Sequence, residues 1–358
     1  MLRLAKSGRL RLDAAVSRDC NVALEIPVTP ELPVAVPRMM SVFDTNVYRR
    51  LTDDQLAELM ALERARSVIG GACYQVCEEL LAHLARPDDP EFAYCRAGLR
   101  RLALHCQHYD GRPVLRFLPD ALDQVARSVH GRALDDGDDI AASFGALIGS
   151  VVEADGADDW AALRPALGEV SARVVASRAA FTRGVREIAS KFDRRLELRG
   201  GNIESILKNR ERRAALIRAL ESEESCRAVA GMFYRSAAAS LGMTVLGAPS
   251  TGIVNQIMAR FPTPPRAFAR VVRKAICDGF DVEKHETIAY DVRISFLVTG
   301  FANFDGVAVR LVTGDRDIHD AATAAGTASV VFWPDDYRAW LNGREAVPGE
   351  KPIRARRG

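Results

Sequence analysis

Residues 41–48 read SVFDTNVY: apolar, strand-forming text runs into an aspartate, a threonine and an asparagine, and then apolar text resumes. A carboxylate at the end of a buried strand must be paired, hydrogen-bonded or bound to a cation, because a lone desolvated charge is strongly unfavourable. Asp44 therefore needs a partner, and what the chain offers it bears on both fold and chemistry.

Working outward, residues 1–38 form a mixed N-terminal extension ending in IPVTPELPVAVP, whose prolines disfavour helix and predict an extended arm, so that the domain begins near Met39. Beyond the strand MSVF, LTDDQLAELMALERARS carries apolar residues at helical spacing, with Thr52 or Asp53 as its cap. SVIGGACYQV predicts a second strand, and CEELLAHLA a helix with Glu78 and Glu79 in a first turn that favours acids. Residues 91–279 then turn rich in Ala, Leu, Arg and Glu, broken at HYDGRP, DDGDD, EADGADD, LRGGN and RFPTPP, which predicts an all-helical insertion.

Alternation returns near the C-terminus. DVEKHETIAYDVRISFLVTGFA predicts a helix, GVAVRLVTG a strand, DRDIHDAATAAG a helix and TASVVFWP a last strand. Short strands separated by helices imply an α/β fold, a parallel sheet with helices on both faces. Two segments, 39–90 and 280–345, build it around the 91–279 insertion, and 346–358 is a basic tail.

Composition narrows the class. The 358 residues are 48% hydrophobic and 27% charged, as in soluble globular proteins, and 49 Lys plus Arg against 47 Asp plus Glu give a net charge of only +2. The seven cysteines are odd in number and scattered, which predicts reduced thiols in a cytoplasmic protein. Cys73, Cys77, His105, Cys106 and His108 match no standard zinc spacing and read as core. No stretch of eighteen apolar residues occurs, which argues against a membrane partner. TGIVNQI and RGGN lack the lysine and spacing of a phosphate-binding loop.

In parallel sheets, residues that follow a strand line the ligand cleft. Asp44 follows MSVF, Asp315 follows RLVTG, and Glu78 or Glu79 follows the second strand; Asp291, in IAYDVRISF, sits on the helix before the last of these acids. Carboxylates gathered in one cleft repel one another unless cations are present, and hard oxygen donors select Mg2+ or Mn2+. A carboxylate-held metal pair suits phosphodiester hydrolysis. Thr45 and Asn46 at one strand end, and Thr313 at the other, are candidates to steady that site by hydrogen bonds.

FDTNVY (43–48), CEELL (77–81), YDVRISFL (290–297) and LVTGDRDI (311–318), in this order, resemble the PIN-domain nucleases, a metal-dependent ribonuclease family. VVFWPDDYRAWL resembles that family's last strand and helix, and the likeness covers roughly 40–90 and 280–341. The resemblance implies Asp44, Glu79, Asp291 and Asp315 as catalytic metal ligands, helped by Asp317, with Asn46 and Thr313 in support. Glu79 is preferred to Glu78 because the family's acid is followed at once by leucine; Asp139, in DDGDDIAASFGAL, is the alternative to Asp291. The expected activity is an RNA endonuclease, a toxin or defence effector among the roles, with an antitoxin partner and oligomerisation left open. A DNA-directed nuclease, and an inactive nucleic-acid-binding or scaffold protein, are the alternatives.

Residues 171–218 hold thirteen Lys or Arg and five Asp or Glu, a local excess of eight positive charges suited to a phosphate backbone. Arg194, Arg195, Lys208, Arg210, Arg212 and Arg213 flank LRGGN and are the expected nucleic-acid contacts.

Overall fold

The computed structural model describes residues 2–5, 9–12, 39–106, 117–118, 120–131, 137–197, 203–285, 287–299, 303–304 and 307–343. A short antiparallel ribbon, β1 (Leu2–Ala5) and β2 (Arg9–Leu12), falls within the expected extension; the proline-rich arm, LRGGN and the basic tail lie outside the described residues.

The main sheet begins with β3 (Met39–Phe43), whose residues 40–43 are all buried, as expected of a strand covered on both faces. The chain then forms two helices where one was expected, α1 (Thr45–Arg50) and α2 (Asp53–Ala65). Thr52 caps the second in a capping box with Gln55. β4 (Val68–Gly70) and β5 (Ala72–Cys73) split the second expected strand. Packing requires glycine at the end of β4, since a Cβ on Gly70 would run into the His105 backbone carbonyl, whereas one on Gly71 would press only on the Met40 side chain. Helix α3 (Tyr74–His83) follows, and every residue from Tyr74 to Leu81 is buried.

The middle of the chain supplies α4 (Phe92–His105), a short strand β6 (Phe117–Leu118) parallel to β5, then α5 (Ala121–His130), α6 (Gly137–Glu153) and the 41-residue α7 (Ala157–Glu197). After it come α8 (Ile203–Lys208), α9 (Arg210–Leu220), α10 (Glu223–Ser240), α11 (Thr251–Arg260) and α12 (Thr263–Cys277). Among its described residues the block's regular elements are thus all helices except β6, a strand too short to show in the sequence pattern. It is no detached lobe: Phe144, Leu167 and Val174 enter the sheet-side core, while Val292, Phe296 and Ala321 enter the helical core.

The third segment starts with α13 (Ile288–Ile294), much shorter than the expected helix, which continues as a 3₁₀ turn over Ser295–Leu297. It is followed by β7 (Asn303–Phe304), β8 (Val307–Val312), α14 (Arg316–Ala325), β9 (Val331–Phe332) and α15 (Pro334–Leu341). Strands β4, β3, β8 and β9 are parallel in that order, and β7 pairs antiparallel with the start of β8. Chain ends distant in sequence therefore build one sheet. Phe43 pairs with Val312 in the β3–β8 register, so the two strands end level.

Beneath the sheet lies a buried polar knot. Ser41 Oγ (2.7 Å) and Tyr337 Oη (2.6 Å) both donate to Glu63 Oε1, and His105 Nε2 meets Glu63 Oε2 at 3.0 Å. The other His105 nitrogen meets Tyr48 Oη at 2.7 Å, and Phe43 stacks on the imidazole at 4.3 Å. His105 and Cys106 are therefore packing and hydrogen-bonding groups here. Among the described residues, no helix is long and apolar enough to cross a membrane.

Candidate active site

Because β3 and β8 end level, Asp44 and the Thr313–Asp315 turn leave the sheet side by side, and the Asp44 amide donates to the Val312 carbonyl at 3.0 Å. Asp44 occupies the N-cap position of α1, yet its side chain makes no capping bond. Its carboxylate instead accepts from Thr313 Oγ1 at 2.9 Å, and Thr313 Oγ1 in turn accepts from the Asp315 amide at 3.0 Å. Burial pushes the Asp44 carboxyl up to about 6; the Thr313 bond opposes the rise and the Asp315 charge adds to it.

Glu79 rises from the second turn of α3 and is 5% exposed. Thr45 Oγ1 donates to its Oε2 at 2.7 Å, tying the residue after Asp44 to the second acid. Burial and then the Asp44 charge carry the Glu79 carboxyl up to about 7, against the Thr45 bond and the positive fields of Arg178 and Arg49. Glu78, its neighbour, turns away: Arg173 Nε and Arg293 Nη1 each hold it at 3.1 Å. One step of about 100° round a helix separates an acid facing the site from an acid in a salt bridge.

Asp291 lies in the first turn of α13, and its carboxyl is pushed well above the usual range, first by burial and then by the charges of Asp315, Asp44, Glu79 and Asp317. All the acids expected to act together thus share one field. Arg293, two residues on, bridges Glu78 and Asp120 (2.6 Å), and so clamps α13 to α3 and to the start of α5. Asp139, the alternative third acid, falls in α6 with its side chain outside the described residues.

Asp315 caps α14 through Oδ1, accepting from the Ile318 amide at 2.9 Å, and burial raises its carboxyl. Asp317 is held differently from the expectation of a ligand in waiting, because it is ion-paired to Lys274 on α12. Asn46 is exposed on α1, whereas Thr45, weighed beside it, makes the bond to Glu79. Behind the turn, His319 meets the Thr313 carbonyl at 3.1 Å and lies flat on Trp333, 3.8 Å between ring centres.

Of the expected nucleic-acid contacts, Arg194, Lys208, Arg210 and Arg212 are exposed, and the Arg195 side chain is outside the described residues. Arg213 is occupied by Asp278 at 2.7 Å. Helix α9, which carries three of these arginines, packs on α8 and α12.

Sequence reasoning missed two groups close to the acids. Tyr290 is 4% exposed, has the guanidinium groups of Arg178 (5.5 Å) and Arg293 (5.8 Å) over its ring, and has a hydroxyl with no hydrogen-bond partner among the described residues. Arg178, from the middle of α7, is the other. Neither stands out in sequence, since tyrosine on a helix and arginine in a basic helix are ordinary. In comparisons with known proteins, no family model, curated protein or solved structure matches this chain.

All donors in the cluster are hard carboxylate and hydroxyl oxygens, a set that fits Mg2+ or Mn2+. Among the described residues, no three of His, Cys, Asp and Glu stand close enough to hold a metal ion as placed. Like charges spread one another, and a cation would have to draw these side chains inward.

Proposed function

We propose that this chain is a PIN-like, Mg2+- or Mn2+-dependent endoribonuclease that hydrolyses RNA phosphodiester bonds at Asp44, Glu79, Asp291 and Asp315. One observation carries the reading: strands β3 and β8 end level with Asp44 and Asp315 on one Thr313 hydroxyl, Thr45 ties Glu79 to them, and the largely desolvated Asp291 lies in their field. A structure with no use for such crowding would have paired these acids, as it pairs Glu78. Two threonine hydroxyls orient Asp44 and Glu79, and since a carboxylate has about four acceptor positions each keeps sites for a cation. A divalent cation held by these carboxylates would neutralise charge on the phosphodiester and lower the pKa of water. Asp315 and Asp44 are fixed by the same Thr313 hydroxyl, so the two strand-end acids keep a set spacing. The Arg293 clamp keeps Asp291 over Glu79's helix.

The spread of the acids favours a second reading, a nucleic-acid-binding or scaffold protein of the same fold that does not cut. A DNA-directed nuclease would use the same acids. Labelled single-stranded RNA and DNA incubated with Mn2+, Mg2+ or chelator, for wild type and Asp44→Asn, separate the three. Metal-dependent RNA cleavage lost in the variant supports the proposal, and binding without cleavage under every condition refutes it.

A further inference from the structure

One long helix face continues away from the acids. Arg178, Thr182 and Arg186 succeed one another at four-residue spacing on α7 with Arg183 beside them, and together they form one wall of a cleft of about 350 Å3. The opposite wall is formed by Val282, Glu283, His285, Ile288 and Ala289. Ile288 and Ala289, at the start of the helix that carries Asp291, also line the cleft. Arg178 lies over the Tyr290 ring and within the field of Glu79, which joins the cleft to the acids.

The two walls differ in chemistry. The α7 wall presents three arginines, which suit a row of phosphates. On the other wall, His285 lies nearly parallel to Phe280, with ring centres 4.1 Å apart and planes 14° apart, and Lys274 sits over the same phenyl ring. His285 is exposed and so presents its outer face. A cationic wall facing an aromatic platform is the combination that holds single strands, with backbone on one side and a stacked base on the other. Across the mouth, Arg186 pairs with Glu283 at 2.8 Å; both side chains are more than half exposed, so a phosphate can replace that carboxylate at little cost.

We infer that the cleft between α7 and the wall of Glu283, His285 and Ile288 seats a single nucleic-acid strand, with Arg178, Arg183 and Arg186 on its phosphates and the His285–Phe280 pair beneath a base, and leads it to the acids. This rests on the nuclease reading for the direction of the strand and moves the nucleic-acid surface from the LRGGN flanks to the cleft. The shared ligand chemistry is the phosphodiester backbone, and RNA and DNA are told apart in the test.

The experiment is fluorescence anisotropy with a labelled single-stranded 12-mer, as RNA, as DNA and annealed to its complement, against the full chain carrying Asp44→Asn in chelator. Arg183→Glu and His285→Ala are each expected to weaken single-strand binding about tenfold. Arg183→Glu should also lower the slope of log affinity against log salt by about 0.7 to 1, and Arg183→Lys should restore it. Arg235→Glu, on the exposed side of α10, should leave affinity unchanged. Arg183 and His285 are exposed, so the fold should survive, and thermal unfolding of each variant checks that. Equal binding by Arg183→Glu and His285→Ala overturns the inference, as does a loss confined to Arg210→Glu and Arg212→Glu. Cleavage by wild type is scored separately: metal-dependent cutting with cleft variants unaffected in binding rejects the cleft and keeps the nuclease, whereas cleft-dependent binding without cutting does the reverse.

Discussion

Thr313 Oγ1 donates to Asp44 Oδ2 at 2.9 Å and accepts from the Asp315 amide at 3.0 Å, so a single hydroxyl joins the ends of two strands 269 residues apart. Thr313→Val keeps the shape and removes both bonds. A hydrogen bond to an ionised carboxylate lowers its pKa, so its loss should move Asp44 above its value of about 6. The fold should lose about 1–3 kcal/mol, because a buried amide and a carboxylate are left unpaired. Carbon-detected NMR titration of the Asp44 carboxyl, with Thr313→Ser as the rescuing variant, measures the shift; an unmoved titration would mean that the hydroxyl does not serve Asp44.

Two buried carboxyls, Asp44 and Glu79, crowded by the half-buried Asp291 and Asp315, are a standing cost to the fold when no cation is bound. Asp44→Asn and Glu79→Gln should therefore raise the chelator-treated protein's melting temperature, in the sense of about 1–3 kcal/mol, while abolishing the upward shift that Mn2+ gives the wild type. Scanning calorimetry with and without Mn2+ decides it. A wild type whose melting is indifferent to both cations would count against the metal site.

The Arg293–Glu78 pair makes the opposite prediction. Its side chains are 24% and 8% exposed, and Arg293→Met would strip Asp120 and Glu78 of a shared cation. Breaking a buried pair from one side costs about 3–5 kcal/mol, here discounted to about 2–4 because the guanidinium is partly exposed. The Arg293→Met, Glu78→Gln double variant should recover part of that loss. Denaturant titration of the four-member cycle reads the coupling directly.

These contrasts mark what the sequence could tell. Asp44, Thr313 and Asp315 are legible because strand ends place consecutive residues at a cleft, and the mainly apolar runs MMSVF and VAVRLV before them mark the strands. Glu78 and Glu79 are identical in composition and adjacent, so only the direction each faces from α3 separates salt bridge from site, and that direction is fixed by α7 and α13 packing on the helix. Asp291 was placed by connection length, and what holds it there is the pairing of Arg293 with residues 173 and 215 positions away. The charge count over 171–218 was sound as a sum, but it could not show that Arg213 is bound to Asp278 while Arg178, Arg183 and Arg186 line the cleft. Helix α1 has no signal of its own because only eight residues separate the strand from the Thr52 cap.

Tyr290 offers a cleaner case. Its hydroxyl is buried without a hydrogen-bond partner among the described residues, and burial pushes its ionisation upward. Removing an unpaired hydroxyl relieves its desolvation penalty, so Tyr290→Phe should be neutral or stabilising by about 1 kcal/mol. Urea titration tests this. A loss of more than that amount would show that the phenol has a partner in solution, and in that event cleavage and binding assays on Tyr290→Phe would show whether the partner is substrate.

The Glu63–His105 knot sets a pH window for stability. Beside Glu63, His105 is raised to about 10 from an ordinary value near 6.5, despite burial, and Glu63 is held below its ordinary 4.5 by His105, Tyr337 and Ser41. A raised histidine contributes fully below its unfolded pKa and fades as pH climbs toward 10; a lowered carboxylate contributes fully above its unfolded pKa and fades as pH falls. The pair's joint contribution is therefore greatest between about 4.5 and 6.5 and declines on either side. His105→Gln keeps a donor for Glu63 and removes the charge, so it should destabilise by about 3–5 kcal/mol near pH 6 and by progressively less toward pH 10. Urea unfolding of wild type and variant at half-unit pH steps measures the difference, and a gap that stays constant from pH 6 to 9 would mean that His105 is neutral in the folded protein.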